Sequence, residues 1–438
     1  MAHSKDLGSN LRFNRACPNL IHSRFSCISR LLSPHYLTCR LVSTSSIPSV
    51  LHTGDMAPGS MRSVSISHVE GVPGKVYYPL SHDVSPIPQP TGSQVLVKVH
   101  AVSVRLLLRN SGLIDCDISI SFQSNHRDHF IRQHLYPGTA FHIPLGSDCV
   151  GRVVVLGPAV SDSSLLNKRV LIYPARGWAS SPAAPESPSF AVLGGTKLYP
   201  NGTFAEYILV DSPDLSAECP AHLDDVHAAA VPLAALTAYR AVVTKGEIGA
   251  GKTSVVTGAG GGVAIYAIQI AKALGANVFV TAGNEWKSSF AINTLGADGG
   301  VLYQDDGWGK KLRGIIKDKV GAEIDAVVDG AGGDVVVQLV GGIKAGGKIV
   351  CYGMTTGPKV DVGMAAVLKN IDFRGSTMGS RREFDEVLTL IANAKLQPVV
   401  AQVINGSNNM EGAFKTLMAT DRAGKIVVTI SEESKANM

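Results

Sequence analysis

The chain reads as an α/β protein in which a β-rich body precedes a doubly wound parallel sheet, and three observations predict this. From Val64 to about Val231, short alternating strand patterns such as Gln94–Val102 and Gly151–Gly157 are separated by Pro/Gly turns. From Lys252 the pattern changes to an apolar strand (Ser254–Thr257), a small-residue cluster (Gly258–Gly262), an apolar helix (Val263–Leu274) and a second strand (Asn277–Thr281), which is one βαβ unit. Further strands at Ile324–Asp329 and Lys348–Gly353 each follow a helical stretch, as a parallel sheet requires. A helix over Arg382–Ala394 and a strand over Gly424–Ile430 close the chain. Their pattern leaves open whether they return to the first body.

Composition narrows the function classes. With 438 residues, 45% of them hydrophobic and 17% charged, the chain can bury the cores of two domains. Its 46 glycines follow no three-residue period, which excludes a collagen-like fibre. The net charge is +5, but residues 1–55 carry six basic and two acidic residues and so hold nearly all of it. The remainder is close to neutral and offers no electrostatic case for a nucleic-acid partner. No apolar run reaches the roughly 18 residues of a membrane span. The seven cysteines, at 17, 27, 39, 116, 149, 219 and 351, form no C-x-x-C pair and fit a reducing compartment.

Residues 7–54 contain five arginines, many serines and no acid, the composition of a transit peptide. The expectation is a mitochondrial protein if residues 1–55 are a genuine leader and a cytoplasmic one otherwise, with Met56 or Met61 as alternative starts.

The βαβ unit carries the first chemical signal. Ala259, Gly260, Gly261, Gly262 and Val263 lie between a strand and a helix, where main-chain N–H groups and the positive helix end hold a pyrophosphate. Small side chains let phosphate oxygens approach the backbone. The strict G-x-G-x-x-G fingerprint is absent, because the aligned positions are Ala259, Gly261 and Ala264. The second strand ends in Thr281, Ala282 and Gly283, so no carboxylate stands where an NAD site bonds the ribose hydroxyls. Asn284, Lys287 and Tyr303 are candidate donors to a 2′-phosphate, and the expected cofactor is NADPH. Glu285 is the opposing feature, since a small shift of the strand end makes it the ribose ligand.

These residues resemble the medium-chain dehydrogenase/reductase superfamily, in its zinc-free quinone oxidoreductase and enoyl reductase branch. The segments that carry the resemblance are Pro144–Val153, Gly202–Tyr207, Pro232–Tyr239, the glycine cluster, Leu295–Asp298 and Gly375–Ser380. It spans nearly everything from residue 64 to 430. The resemblance implies a GroES-like catalytic domain over 62–231, a Rossmann domain over 232–374, and a return to the catalytic domain over 375–438. It also implies a homodimer or homotetramer. Zinc-dependent members place a Cys, a Gly-His-Glu and a later Cys as ligands, whereas the corresponding stretches here hold Asn125, Gly146 to Asp148, and Ala234 with Ala235. Hydroxyl and methyl groups do not replace imidazole and thiolate at a tetrahedral zinc, so no metal is expected. Cys149 reads as a buried small hydrophobe.

Without a metal to polarise a saturated carbonyl, hydride addition to a conjugated carbonyl (an enone or enal) or a quinone is the fitting chemistry, because the acceptor brings its own electron sink. By the resemblance, Asn125 is the residue near the nicotinamide and acceptor carbonyl, and Thr237 bonds the nicotinamide ribose or amide region. Tyr136 is a candidate proton donor, with Tyr199 beside it. Arg127 and Asp128, flanked by His126 and His129, read as a turn pair ahead of a charged helix. Tyr352, Gly353 and Met354, with Ser376, Thr377 and Met378, are expected at the nicotinamide end. Two other readings stay open: an NADPH-binding partner protein with little turnover, and a metal-free alcohol or carbonyl dehydrogenase.

One segment departs from the pattern. Residues 104–123 separate the strand ending in Ser103 from the Asn125 to Asp128 stretch, and their removal restores a continuous motif. Either they are translated intron sequence, since twenty codons keep frame, or they form a substrate-binding lid. Loop closure over this length costs only about 2.7 kcal/mol by the logarithmic rule, but the apolar runs Leu106–Leu108 and Ile118–Phe122 would then lie beside the cleft.

Overall fold

The computed structural model describes residues 59–104, 127–216, 219–356, 359–417 and 422–430. The leader and the segment after Val104, including Asn125 and His126, lie outside the described residues.

The strands run in chain order as β1 (Ser60–Ile66), β2 (Leu80–Pro86), β3 (Gln94–Val104), β4 (Cys149–Leu156), β5 (Arg169–Ile172), β6 (Ala175–Arg176), β7 (Ala191–Val192), β8 (Tyr207–Asp211) and β9 (Leu215–Ser216). They continue as β10 (Thr253–Ala259), β11 (Asn277–Ala282), β12 (Gly299–Leu302), β13 (Ile324–Asp329), β14 (Ile343–Cys351), β15 (Asp372–Gly375), β16 (Val400–Asn405) and β17 (Lys425–Thr429). The helices are α1 (Arg127–Arg132), α2 (Asp225–Ala229), α3 (Pro232–Tyr239), α4 (Gly262–Ala273), α5 (Glu285–Asn293), α6 (Trp308–Val320), α7 (Val335–Leu339), α8 (Met364–Leu368), α9 (Arg381–Ala394) and α10 (Met410–Leu417).

The first sheet is built on β3, whose alternating residues pair antiparallel with β4, β8 and β17. Its order is β16-β17-β3-β4-β5-β9, with β8 also on β3. The last strand therefore joins a sheet begun near the start of the described chain, with Ile426 opposite Val104 and Val428 opposite Val102. One core fills this body, including Val97, Val99, Ile172, Phe204, Phe414 and Val428.

The second sheet has the order β12-β11-β10-β13-β14-β15, and every neighbouring pair in it is parallel. Its central strands read as continuous apolar runs because helices cover both faces. α4, rich in alanine, is almost wholly buried and packs against α3. The strand order reverses between β10 and β13, and ligands of open α/β sheets bind in the crevice outside such a reversal.

Local chemistry fixes the element ends. Asn284 caps α5 by accepting from Lys287 N at 2.9 Å. Ser380 and Glu383 form a reciprocal capping box at the start of α9. Arg127 and Asp128 correct one expectation: they form the first turn of α1 itself rather than a turn ahead of it. The Asp128 carboxylate suits that helix start and accepts from Gly146 N at 3.2 Å.

Candidate dinucleotide and acceptor site

The turn after β10 is shaped for an anion. Gly258 and Gly260 have φ of +70° and +114°, conformations that L side chains rarely adopt. A Cβ at Gly260 would lie 2.9 Å from the Lys287 Cδ, so the lysine stem crosses the glycine face. Gly261 is the N-cap residue of α4, and Gly262 and Val263 open the helix with their N–H groups at its positive end. Ala259 ends β10 and is buried.

The adjacent end of β11 gathers the other expected residues. The strand stops at Ala282, and Glu285 is the first residue of α5 rather than the strand's end. Thr281 Oγ1 accepts from Gly258 N at 3.2 Å and ties the two strand ends together. Lys287 is buried, and the Tyr303 hydroxyl lies over Gly283, where a Cβ would be 2.6 Å from it. Asn284 spends its side-chain oxygen on the α5 cap, leaving its amide N–H groups as donors.

Across the reversal point, the buried Asp329 at the end of β13 accepts from Thr257 Oγ1 at 2.6 Å and from the N–H groups of Ala331 and Gly332 at 2.9 and 3.0 Å. Burial pushes this carboxyl above its usual range, and those hydrogen bonds oppose the shift. Sequence reasoning missed Asp329, although an acid at the end of an apolar strand is a signal for such a role.

A cavity of about 600 Å³ opens beside the ends of β14 and β15. Tyr352, Gly353, Met354, Ser376, Thr377 and Met378 form one wall, joined by Cys351 and Gly375. Trp178, Ala183, Ala184, Pro185 and Phe190 form a second, from the loop between β6 and β7. Arg127, Tyr136, Pro137, Ala191, Val192, Thr196, Leu198 and Arg240 complete it. Met378 is buried with φ +46°, a strained turn that brings Ser376 and Thr377 onto the wall. The Cys351 thiol donates to Gly353 O at 3.2 Å, and burial pushes its pKa up to about 11.

The structure separates the remaining candidates. Tyr136 lies on the cavity wall with the Arg127 guanidinium 4.8 Å from its ring. Thr237 is fully buried in α3, where its hydroxyl donates to Leu233 O at 2.7 Å, and it does not line the cavity. Tyr199 is buried against Arg176, and His129 bonds Tyr77 rather than facing the cavity. Arg127, Arg240, Trp178 and Phe190 were not singled out as site residues by sequence reasoning. The elements that bring them together are far apart in the chain, so no local motif marks them.

The family described as alcohol dehydrogenase GroES-like domain matches residues 118–220, and that described as zinc-binding dehydrogenase matches residues 262–393. A zinc-type alcohol dehydrogenase-like protein, YogA, from Leptosphaeria maculans is 39% identical over 82% of this chain and 96% of its own. The chain belongs to the medium-chain dehydrogenase/reductase superfamily. It is thus a member of an oxidoreductase family whose fold binds a nicotinamide dinucleotide. An acryloyl-coenzyme A reductase from Metallosphaera sedula is 26% identical over 78% of this chain and 94% of its own. The crystal structure of an NAD-dependent alcohol dehydrogenase matches with a TM-score of 0.70 and 29% identity, covering 84% of this chain and all of the other.

The donor set present here does not fit a catalytic zinc. Ser147 Oγ donates to Leu193 O at 2.8 Å, and Ala234 and Ala235 offer only methyl groups. Asp148 is committed to Lys425 and to Leu233 N, each at 2.7 Å. Burial raises the Cys149 thiol far above its usual range, which disfavours the thiolate that a metal needs. Among the described residues, no group of three or more His, Cys, Asp or Glu is placed to hold a metal ion.

Proposed function

We propose that this protein is an NADPH-dependent reductase of conjugated carbonyls or quinones that works without a catalytic zinc. The observation that carries the reading is the apolar cavity beside the ends of β14 and β15, whose described walls offer hydrogen-bonding groups but no metal-ligand cluster. A reduced nicotinamide supplies hydride when bound. The chain's own part is to hold the diphosphate on the N–H groups of the Gly258–Val263 turn and to present the acceptor from the facing wall. An acceptor of this class suits a site that must polarise by hydrogen bonds and fixed charge alone. The name of the acryloyl-coenzyme A reductase relative supports the same chemistry.

Preference for NADPH rests on the end of β11. It carries no carboxylate, while Lys287, Tyr303 and Asn284 converge there as donors. The test is a panel of enals, enones, quinones and saturated ketones offered to the full chain with NADPH and with NADH, before and after treatment with a chelator. Turnover of conjugated acceptors with NADPH that survives the chelator is the expected result. Dinucleotide binding without oxidation across the panel would indicate instead a binding protein, and ketone turnover a carbonyl dehydrogenase.

We propose further that the protein is a homodimer through β15. This strand is the edge of the parallel sheet, and Val362, Met364, Val367, Leu368 and Phe373 on it or just before it are exposed apolar side chains. Sedimentation of Leu368→Lys is expected to show monomer where the parent shows dimer. The compartment follows residues 1–55, and the location of a fluorescent protein fused to them decides between mitochondrion and cytoplasm.

A further inference from the structure

We propose that Arg127 is a catalytic residue: its guanidinium polarises the acceptor's carbonyl oxygen and holds the oxyanion that hydride delivery creates. The proposal rests on the conjugated-carbonyl reading of the cavity and names the group that answers its main electrostatic demand. Hydride arriving at the β-carbon forms a C–H bond there. The C=C pair moves between the α-carbon and the carbonyl carbon, and the C=O pair moves onto oxygen, while the nicotinamide is oxidised. The resulting enolate collapses to the ketone or aldehyde as its α-carbon takes a proton from water. Between those two steps a full negative charge sits on oxygen in an apolar cavity, where a fixed cation is far more effective than in water.

Two guanidiniums lie on the cavity wall, and their surroundings distinguish them. Arg240 is neutralised by Glu383, which takes both hydrogen bonds of its Nη1 at 2.9 and 3.1 Å. Arg127 has no such partner: the nearest carboxylate oxygen in an ion pair with it is that of Asp128, 3.9 Å away. The Arg127 side chain is 3% exposed, and its Nη2 is held by the carbonyls of Val192, at 3.2 Å, and Gly194. Its Nη1 reaches Ser147 Oγ at 3.4 Å. A rigidly held, weakly compensated cation on the wall of an apolar cavity is a site that an oxyanion completes.

The proposal is tested with an optical mimic of the enolate that needs no turnover. 4-Nitrophenol is titrated in the presence of the full chain saturated with oxidised dinucleotide, and the absorbance of the bound phenolate gives its pKa. The wild type is expected to lower that pKa. Arg127→Gln is expected to abolish the shift and to lower kcat for enones about a hundredfold, with dinucleotide affinity unchanged. Arg127→Lys is expected to restore part of both. Because Arg127 also braces Val192 and Gly194, a second variant guards against misfolding: Asp128→Asn removes the neighbouring carboxylate and should lower the bound phenol's pKa further. A wild type that leaves the phenol unshifted, or a folded Arg127→Gln that shifts it as the wild type does, would overturn the proposal. So would a folded Asp128→Asn with an unchanged shift. A wild type that shifts the phenol through Arg127 but reduces no conjugated carbonyl would instead refute the reaction assigned above and leave the oxyanion site standing.

Discussion

Lys425 Nζ lies 2.7 Å from Asp148 Oδ2, and both side chains are almost completely buried. The pair fastens β17 to the segment preceding β4, and its effects spread in two directions. The other Asp148 oxygen accepts from Leu233 N at 2.7 Å near the start of α3. Gly424 N, one residue before Lys425, donates to Gly260 O at 3.2 Å in the glycine turn after β10. The ion pair and the neighbouring Gly424 bond thus link the last strand, the α3 start and the glycine turn.

Removing one charge from such a pair leaves the other buried and uncompensated. Lys425→Met is expected to cost about 3–5 kcal/mol in urea unfolding. The double variant Lys425→Met with Asp148→Asn should cost much less than the sum of the two, because asparagine is neutral and still accepts from Leu233.

Stability should pass through a maximum on the acid side of neutrality. The Asp214 carboxyl is pushed up to about 6, first by burial and then by the neighbouring Asp211 charge. The native state therefore holds this proton after the unfolded state has released it, and stability falls as pH rises towards and through 6. Asp225 is held down at about 2 by hydrogen bonds from His100 and then Arg169. Its contribution is present above the ordinary carboxylate range and is lost as pH falls towards 2. Chemical denaturation at several pH values should show Asp214→Asn raising stability at pH 7 by about 2 kcal/mol with little effect near pH 4. Asp225→Asn should remove part of the acid-side loss.

Cofactor choice should respond to Lys287. Replacing its ammonium with the Met side chain is expected to cut NADPH affinity about tenfold to a hundredfold while NADH affinity changes little, as fluorescence titration would read. Gly260→Ala should lose both dinucleotides, since its Cβ meets the Lys287 stem in a backbone conformation that suits glycine.

The loop wall should set acceptor size. Ala183 and Ala184 share the cavity lining with Tyr352 and Met354, and their small side chains leave it room, so Ala184→Phe is expected to lower kcat/KM for long-chain enones at least tenfold and to spare the smallest enals. Steady-state kinetics across a chain-length series measures this.

Much of the fold was legible because it is written in short-range pattern. The run Ile324–Asp329 was bounded correctly, and the glycine cluster was placed between its strand and helix, since hydrophobic period and turn chemistry act over a few residues. Arg127 and Asp128 read as a turn from sequence because the pair carries no apolar period, and their helical conformation draws on Gly146, which meets Asp128 only in the folded chain. The resemblance puts Thr237 at the nicotinamide, but whether its hydroxyl faces a ligand or bonds within its own helix depends on the rotation of α3. Asn125 and residues 105–126 lie outside the described structure.

The sequence alone determined the kind of sheet, the place of the glycine-rich turn and the mismatch with a zinc ligand set, because each depends on residue types at close spacing. Tertiary structure decided the rest: that β17 pairs with β3, that Lys425 neutralises Asp148, and that loop, helix and strand ends enclose one cavity with an under-compensated guanidinium in its wall. Those relationships join residues distant in the chain. Their energies arise from burial and electrostatics, which exist only once the chain has excluded water from between them.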